Sequence, residues 1–502
     1  MSGRHAPRSR TGCTTCRVRK IKCDETHPSC VRCINAQMKC DWARKTPPTT
    51  SKSKLVSKAP RGPAPRRAYH QLLPRKIDPD ANLICLSLPD PNLLSSRERE
   101  YFAFFPHTSM VRWIGKPWQW ASLHYVYSHI APRSLVVTSM MLAISATELE
   151  GIRHTQRCRS DRVVSHDQWP AEAGTSYYQS ALRDFQLILS KSEGPLSSQE
   201  VNQISAAFFL MVIYEYLFGQ DSAAVEVHIQ GLYTFLRAHD LAPKHGEPSK
   251  CARLPVLTQQ LLLFVMYMNL TLCKYGHLRQ LWEDAGHESS FLSTMDQLFY
   301  SSRTLQHAIW PLKYPAEASL DDISVFRPLE LTNECKKLKY RLLLMSQGTP
   351  EMSEEDLMDG LEQDLCDIGK RYQDLIIMSQ QPHSGLRNRQ LQTIYFALAE
   401  YHATIVFFCY RRNLLNCMST VSVSSHDAVN GALAIVKELS AEIPWCLGRV
   451  QWPIVVLAGC MEDSQDRQWI REVLVDSQHT IVSPCMRGWL DEMIVLAKSR
   501  EL

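Results

Sequence analysis

The chain has 502 residues, too many for one compact core, so at least two domains are expected, one of them large. Its composition, 45% hydrophobic and 21% charged, is ordinary for a globular protein. The longest apolar runs, such as 261–272, are about a dozen residues, shorter than the ~20 that span a bilayer. The sequence therefore predicts a soluble protein with no membrane partner.

The net charge of +5 conceals an asymmetry between the two ends of the chain. Residues 1–76 carry a net charge of +16, and the remaining residues carry −11. A basic head on an acidic body indicates a polyanionic partner for the head, most simply nucleic acid. Residues 1–12, which contain three arginines, are predicted to be a disordered basic arm.

Six cysteines follow this arm in a duplicated spacing, C-x2-C-x6-C, then six residues, then C-x2-C-x6-C again. They are Cys13, Cys16, Cys23, Cys30, Cys33 and Cys40. A closed structural zinc site has four tetrahedral ligands, so two ions need eight bonds. Six thiolates supply eight bonds only if two of them bridge both metals. The duplication suggests one bridge and two terminal ligands from each half.

Two alternatives to metal binding fit the six cysteines less well. A disulfide framework would suit a secreted chain, but the segment before the cysteines is polar and basic rather than an apolar signal. Unrelated free thiols would not repeat their spacing. The remaining eleven of the seventeen cysteines have no paired spacing and are predicted to be reduced core thiols.

The duplicated spacing resembles the binuclear zinc cluster (Zn₂Cys₆) of fungal transcription regulators. By that resemblance Cys13 and Cys30 bridge two zinc ions, and the other two cysteines of each half complete one site each. Modules of this kind place a helix in the DNA major groove. The resemblance therefore implies two Zn²⁺ per chain, double-stranded DNA as the partner and a nuclear location.

The two halves of the cluster differ in charge. After Cys16, four of six residues are cations, namely Arg17, Arg19, Lys20 and Lys22, whereas the matching positions of the second half carry one. Both stretches are predicted to form short helices, but only the first is basic enough to dock on phosphates. The cations could instead screen the formal −2 charge of two Zn²⁺ and six thiolates. Screening does not explain why the cations are concentrated in one half of the cluster. We therefore favour DNA contact as their role.

The resemblance also divides the roles of these cations. It assigns base contact to Arg19 and Lys20, typically at a CGG triplet, and Arg or Lys donating to guanine is the commonest specific contact in the major groove. Arg17 and Lys22 are then expected to bind phosphates, which adds affinity without sequence information. Ile21, between them, is expected to pack inward against the other half.

Residues 43–91 are predicted to be a basic linker, because their nine prolines break any long helix. The same prolines forbid the sustained heptads of a coiled coil, so any homodimer would have to form elsewhere, through the helical domain, and monomeric binding is the alternative. Beyond this linker, apolar residues recur at helical spacing and strand-like alternation is scarce. The predicted fold class is mainly α, with a zinc-cluster DNA-binding domain at 13–42 and a large all-α regulatory domain at 92–502.

Within this body, Ser197-x-x-Glu200 is a capping box that predicts the start of a strongly apolar helix. Other apolar helical patterns occur at 135–147, 177–189, 225–237, 257–272, 335–345, 391–410, 428–439 and 469–475. Two segments resemble the fungal-specific transcription factor domain. They are the stretch 206–216 followed by a His-x-x-Gly element at His228, and a Trp-Pro segment beginning at Trp452. Helix packing is the expected role of both.

Residues 351–367 contain eight acids interleaved with Leu357, Leu361 and Leu365. Acidic–hydrophobic mixtures are typical of activation segments. However, leucines that recur every four residues behind a Ser353-x-x-Asp356 cap predict an ordinary amphipathic surface helix. We favour the surface helix.

The sequence contains no phosphate-binding Gly-rich loop, no G-x-S-x-G elbow and no H-E-x-x-H, so an enzyme is not predicted. The resemblance implies a nuclear, zinc-dependent transcription factor of the RNA polymerase II type. Its partners would be CGG-like DNA and the transcription machinery or co-regulators, and its targets a metabolic or biosynthetic gene set. The alternative is a zinc-stabilised interaction scaffold or co-regulator without sequence-specific DNA binding of its own.

Overall fold

The computed structural model describes a short part of the chain near the N-terminus and a much longer part after it. The described residues are 13–18, 21, 23–26, 29–36, 39–42 and 94–490, the last range with gaps at 115, 117, 158–171, 192–193, 220–221, 242–252, 273–287, 311–313, 345–353, 382–384, 387, 415–423, 462 and 475–485. The predicted basic arm, the predicted linker and the predicted DNA contacts Arg19, Lys20 and Lys22 lie outside them. Contacts between residues divide the chain into two units, 1–81 and 82–502.

Regular structure in the described part of the first unit consists of two short helices, α1 (Thr14–Val18) and α2 (Val31–Asn35). Each begins directly after the first cysteine of one half of the duplicated motif. The buried side chains in the described part of this unit are cysteines, with Trp42 packed beside them. That part is therefore organised around sulfur rather than around an aliphatic core.

The second unit is built from helices, and no β-strand occurs in the residues that the structure describes, which confirms the predicted mainly-α fold class. Its helices are α3 (Ser96–Phe104), α4 (Ser109–Ile114), α5 (Ser122–Tyr125), α6 (Leu135–Arg157), α7 (Glu172–Lys191), α8 (Ser198–Phe218), α9 (Ser222–Ala238), α10 (Val256–Leu272), α11 (Glu288–Thr304), α12 (Ala316–Leu344), α13 (Glu354–Arg371), α14 (Gln373–Ser379), α15 (Arg389–Leu414), α16 (Ser425–Glu442), α17 (Gln451–Cys460) and α18 (Ser464–Leu474). Short 3₁₀ turns, including Pro444–Val450, connect some of them.

Capping residues in the sequence mark where several of these helices begin. The predicted capping box is present at α8, where the Ser197 side chain accepts from the amide of Glu200 and the Glu200 carboxylate accepts from the amide of Ser197. Ser95 and Glu98 form the same motif at α3. Each box satisfies amide groups that have no partner within the helix.

The helices pack in a chain of neighbours around one continuous apolar core. Helix α6 packs against α3, α7 and α8, while α8 also packs against α9 and α10. Helix α10 packs against α11, and α12 packs against α15, which in turn contacts α16 and α17. Non-directional burial of apolar surface is the main favourable term that holds these layers together.

The His-x-x-Gly element packs α9 onto its neighbours. A Cβ added to Gly231 would lie 2.8 Å from Cε1 of Phe208 on α8, so glycine permits this close approach. His228 Nε2 lies 2.6 Å from the Tyr178 hydroxyl, and burial lowers the pKa of His228 to about 4. The neutral, hydrogen-bonded imidazole agrees with the packing role expected for this element.

Two helical segments, Leu135–His154 and Ser198–Phe218, are long and apolar enough to cross a membrane by length and composition. However, 83% and 78% of the apolar 18-residue stretch in the first and second of these helices are buried inside the body. Neighbouring helices of the same chain cover this apolar surface, as expected for core helices.

The acidic segment forms the amphipathic helix that its leucine spacing predicts, at least over the described residues 354–371; the predicted Ser353 cap lies outside them. Leu361 and Leu365 are each 1% exposed. Several of the acids are ion-paired within the body. Arg412, on α15, pairs with Glu362 and with Asp359. These pairs occupy carboxylates that an activation segment would otherwise present to a partner.

We expect Arg412→Met to lower the free energy of unfolding by about 3–5 kcal/mol, because Glu362 would lose its buried ion pair with Arg412. The side chains of Arg412 and Glu362 are only 1% and 11% exposed. Denaturant unfolding of the full chain, followed by far-UV circular dichroism, measures the change. The double variant Arg412→Met with Glu362→Leu should recover much of the loss.

The matched control for this prediction is Arg341→Met. Its ion pair with Asp364 is 27% and 48% exposed, so its loss should cost less than about 1 kcal/mol. If the two single variants lose equal stability, then burial of the ion pair does not determine the loss, and the prediction is wrong.

Candidate zinc centre

The six predicted ligands lie together as two overlapping groups of four. The groups are Cys13, Cys16, Cys23 and Cys30, and Cys13, Cys30, Cys33 and Cys40; within each, all sulfurs lie within 4.8 Å of one another. Cys13 and Cys30 belong to both groups. Five of the six side chains are buried, and Cys40 is half-buried.

The sulfur separations fit tetrahedral zinc. Cys13 Sγ lies 3.8 Å from Cys30 Sγ and 3.7 Å from Cys33 Sγ, and Cys16 Sγ lies 3.5 Å from Cys30 Sγ. Four sulfurs at about 2.3 Å from a Zn²⁺ ion define a tetrahedron with edges of about 3.8 Å. A disulfide would require about 2.05 Å. These thiols are therefore not disulfides, and four soft donors at this spacing suit Zn²⁺.

Each half of the cluster makes the same backbone-to-sulfur hydrogen bonds. In the first half, the amide of Cys16 donates to Cys13 Sγ at 3.3 Å and the amide of Cys13 donates to Cys23 Sγ at 3.4 Å. The equivalent cysteines of the second half repeat these bonds at 3.4 and 3.3 Å. The duplication in the sequence is thus a duplication in structure.

These environments change the pKa values of the thiols in opposite directions. Burial is the largest single influence and raises the pKa of Cys13 and Cys30, but the donating backbone amides and the neighbouring thiols together outweigh it, so both pKa values lie below their usual range. Burial and neighbouring thiols raise the pKa of Cys16, and that of Cys33 to about 12. Because the thiolate is the form that binds metal, zinc binding must release protons and depend on pH.

Asp24, directly after Cys23, connects the two halves. Its carboxylate oxygens accept from the amides of Val31 and Arg32, each at 3.1 Å, at the beginning of α2. Oδ1 also accepts from the Thr26 hydroxyl at 2.7 Å. The Thr26 hydroxyl and these amides hold the pKa of Asp24 well below its usual range. The sequence feature that could have identified Asp24 is an acidic residue within an otherwise basic segment.

The chain after the last cysteine is tied back to α1. The Thr15 hydroxyl donates to the carbonyl of Lys39 at 2.9 Å and accepts from the amide of Asp41 at 3.3 Å. The amide of Thr14 donates to the carbonyl of Asp41 at 2.7 Å. These bonds close the described module without a large apolar core.

The predicted DNA contacts are described only in part. Arg17 lies in α1, but its side chain is outside the described residues, as are Arg19, Lys20 and Lys22. Ile21 is 39% exposed, so the prediction that it packs inward is wrong. The interior of this unit is occupied by cysteine side chains, and Ile21 lies beyond the end of α1.

Two family models match the chain. The model described as "Fungal Zn(2)-Cys(6) binuclear cluster domain" matches residues 11–49. The model described as "Fungal specific transcription factor domain" matches residues 105–488, which is more than half of the chain. Both matches agree with the resemblances noted in the sequence, and both families are transcription factors rather than enzymes.

Similar proteins match over a short segment. Transcription factor lfc1 of Flammulina velutipes is 63% identical over 35 residues, 7% of this chain and 12% of that protein. The aspercryptin biosynthesis cluster-specific transcription regulator atnN of Emericella nidulans is 59% identical over 34 residues, 7% of this chain and 6% of that protein. The chain thus spans about a tenth or less of the length of these relatives. No solved structure gives a significant match.

We expect Asp24→Ala to weaken zinc binding about tenfold, since losing an acceptor at a helix N-terminus costs ~1–2 kcal/mol and metal binding is coupled to folding. Titration of the protein against a competing chromogenic chelator measures the change. Glu25→Ala removes a neighbouring carboxylate and the same charge, so it serves as the control. Equal weakening in both variants would show that charge, rather than the hydrogen bonds to α2, is responsible.

Proposed function

The chain belongs to the fungal-specific transcription factor family, and we propose that it acts as a sequence-specific, zinc-dependent DNA-binding regulator of transcription. The observation that carries this proposal is the pair of four-sulfur groups sharing Cys13 and Cys30, with four cations clustered after Cys16. A rigid metal cluster beside a basic segment can fix the orientation of that segment on a polyanion.

For the metal centre, we propose two Zn²⁺ ions per chain, with Cys13 and Cys30 as bridging ligands. Membership of both cysteines in both groups, together with sulfur separations close to the edge of a ZnS₄ tetrahedron, supports this assignment. When bound, zinc would supply folding free energy of about 10–16 kcal/mol, as in other small zinc modules. The protein's own part is to bury the sulfurs and donate amide hydrogen bonds to them.

For DNA, we propose that Arg19 and Lys20 contact bases of a CGG-like triplet, while Arg17 and Lys22 neutralise phosphates. The support is the charge distribution: residues 1–76 carry +16, whereas the rest of the chain carries −11. A negatively charged body disfavours its own approach to DNA, so productive encounters are expected through the head.

The wider role is proposed at family level. We propose a nuclear protein that forms homodimers through its helical body, recruits the transcription machinery or co-regulators, and controls a metabolic or biosynthetic gene set. One relative is named as a regulator of a biosynthesis cluster, which is in keeping with such a target class. In vitro selection of duplexes bound by the full chain tests the triplet and the spacing of paired half-sites together.

We expect native mass spectrometry to find two zinc ions per chain, and chelation to abolish DNA binding, because the apo module should not stay folded. Re-addition of Zn²⁺ should restore binding. A stoichiometry of one, or affinity for DNA that survives chelation, would contradict the proposed centre.

We expect Lys20→Ala to cost ~1–3 kcal/mol of affinity for the selected site and to relax preference at one base. Arg17→Ala and Lys22→Ala should instead weaken all duplexes similarly and lower the slope of log affinity against log salt by about one. Fluorescence anisotropy on cognate and scrambled duplexes separates these outcomes.

Lys39→Ala is the matched control, because Lys39 precedes the last cysteine of the second half as Lys22 precedes that of the first. Its substitution should change neither affinity nor salt slope appreciably. Equal effects at Lys22 and Lys39 would contradict the proposal that the first half faces DNA. Failure of the full chain to select any motif would favour the interaction scaffold instead.

A further inference from the structure

The helical body contains a cavity of about 130 Å³ that none of the functions above uses. It lies among α4, α8, α10, α12, α15, α17 and the turn Pro444–Val450. Its lining combines three aromatic side chains, Trp113, Tyr216 and Trp452, with three charged ones, Lys336, Glu400 and Arg449. This mixture of apolar walls and a few charged groups is the usual make-up of a small-molecule site.

Two of the three charged residues neutralise each other. Lys336 Nζ lies 2.6 Å from Glu400 Oε1, with side chains 8% and 7% exposed. Lys336 Nζ also donates to the Thr271 hydroxyl at 3.3 Å. The pair contributes no net charge to the cavity and leaves the Lys336 ammonium already engaged.

The third charged residue, Arg449, is not neutralised by an acid. Its guanidinium carbon lies 4.0 Å from the centre of the Phe396 ring. Within the described part of the chain, no carboxylate lies at ion-pair distance from this guanidinium and no hydrogen-bond acceptor is assigned to it. Burial lowers the pKa of Arg449 to about 10, and the positive charges of Arg389 and Arg303 add to that effect. Arg449 is still cationic at neutral pH, so the cavity carries one uncompensated positive charge.

The aromatic walls are held in place by close packing. Trp452 is 1% exposed, and the Trp113 and Tyr216 rings meet edge to face with centres 6.4 Å apart. A Cβ added to Gly448 would lie 2.2 Å from Cε2 of Trp113, so the indole packs directly on the Gly448 backbone. Glycine at this position therefore allows the aromatic wall to stand next to Arg449.

Size and charge together define the class of ligand. A dry cavity of about 150 Å³ holds benzene, so this space suits a compact body of similar size. A cation would be repelled by Arg449, and a neutral molecule would leave the half-buried guanidinium without an acceptor. A carboxylate matches the planar guanidinium with two parallel hydrogen bonds.

We propose that this cavity binds a small organic monocarboxylate with an aromatic or branched apolar body. The carboxylate pairs with the Arg449 guanidinium, and the body packs between Trp113 and Trp452. The proposal concerns the helical body alone and does not depend on DNA binding by the zinc module.

Isothermal titration calorimetry on the zinc-loaded full chain tests it with three probes of nearly one shape. Benzoate is the anion, benzamide its neutral analogue and benzamidine its cationic analogue. Benzoate should bind, benzamide should bind about 10- to 100-fold more weakly through loss of the charged hydrogen bonds, and benzamidine should not bind. Isovalerate and its amide repeat the comparison with a branched body. The proposal is overturned if neither carboxylate binds, or if the charged and neutral probes bind with equal affinity.

Variants locate the site. Arg449→Gln should lower benzoate affinity about 10- to 100-fold, whereas Arg449→Lys, which keeps the charge but not the planar fork, should retain part of it. Arg327→Gln removes an exposed arginine that pairs with Asp374, and it should leave binding unchanged. Circular dichroism establishes that each variant is folded.

A second variant keeps the test decisive if Arg449→Gln does not fold. Ile213→Phe adds volume to the cavity wall while Arg449 stays, so it should abolish benzoate binding by occlusion. Undiminished benzoate binding by Ile213→Phe, or by a folded Arg449→Gln, would place the bound anion elsewhere and refute the proposal.

Discussion

The N-terminal unit depends on cysteine sulfurs that two groups of four have in common. About thirty residues cannot bury enough apolar surface to offset the conformational entropy lost on folding. Among the residues of this unit that the structure describes, the buried side chains are cysteines. Metal–thiolate bonds therefore have to supply the stabilisation that a hydrophobic core supplies elsewhere. Cys13 and Cys30 belong to both four-sulfur groups, so their sulfurs lie where the two halves meet. Hydrogen bonds that the Asp24 carboxylate accepts and the Thr15 hydroxyl donates then tie the short helices to the rest of the module.

The helical body is stabilised in a different way from the N-terminal unit. Its continuous apolar core provides the main stabilisation, and charges inside it are tolerated where they are paired, as in Arg412 with Glu362 and Lys336 with Glu400. Pairing is needed because an isolated charge loses far more hydration than the protein interior returns. Against that rule, Arg449 beside an aromatic-lined cavity is a feature that packing alone does not explain. A function in binding an anion would account for it.

Helical periodicity predicted most of the helical segments but not all of their boundaries. The apolar pattern at 335–345 belongs to α12, which begins at Ala316, nineteen residues before the predicted start. Pro328 lies inside that helix and is buried there, so tertiary packing offsets the hydrogen bond that proline removes. Helix α11 went unpredicted, because most of its residues are polar. Its buried apolar stripe, Phe291, Met295, Leu298 and Phe299, packs against neighbours that include α10 and α12. Propensity is only a weak guide where such contacts decide.

The sequence by itself determined the six candidate zinc ligands, the basic segment beside them and the mainly-α class. These features rest on spacing, composition and periodicity, which act over a few residues along the chain. Tertiary structure decided what no local pattern encodes. Asp24 meets the start of α2 seven residues away, and Arg449 faces a cavity assembled from helices hundreds of residues apart. Whether a buried charge finds a partner depends on which distant segments pack together, and that is settled only when the whole core forms.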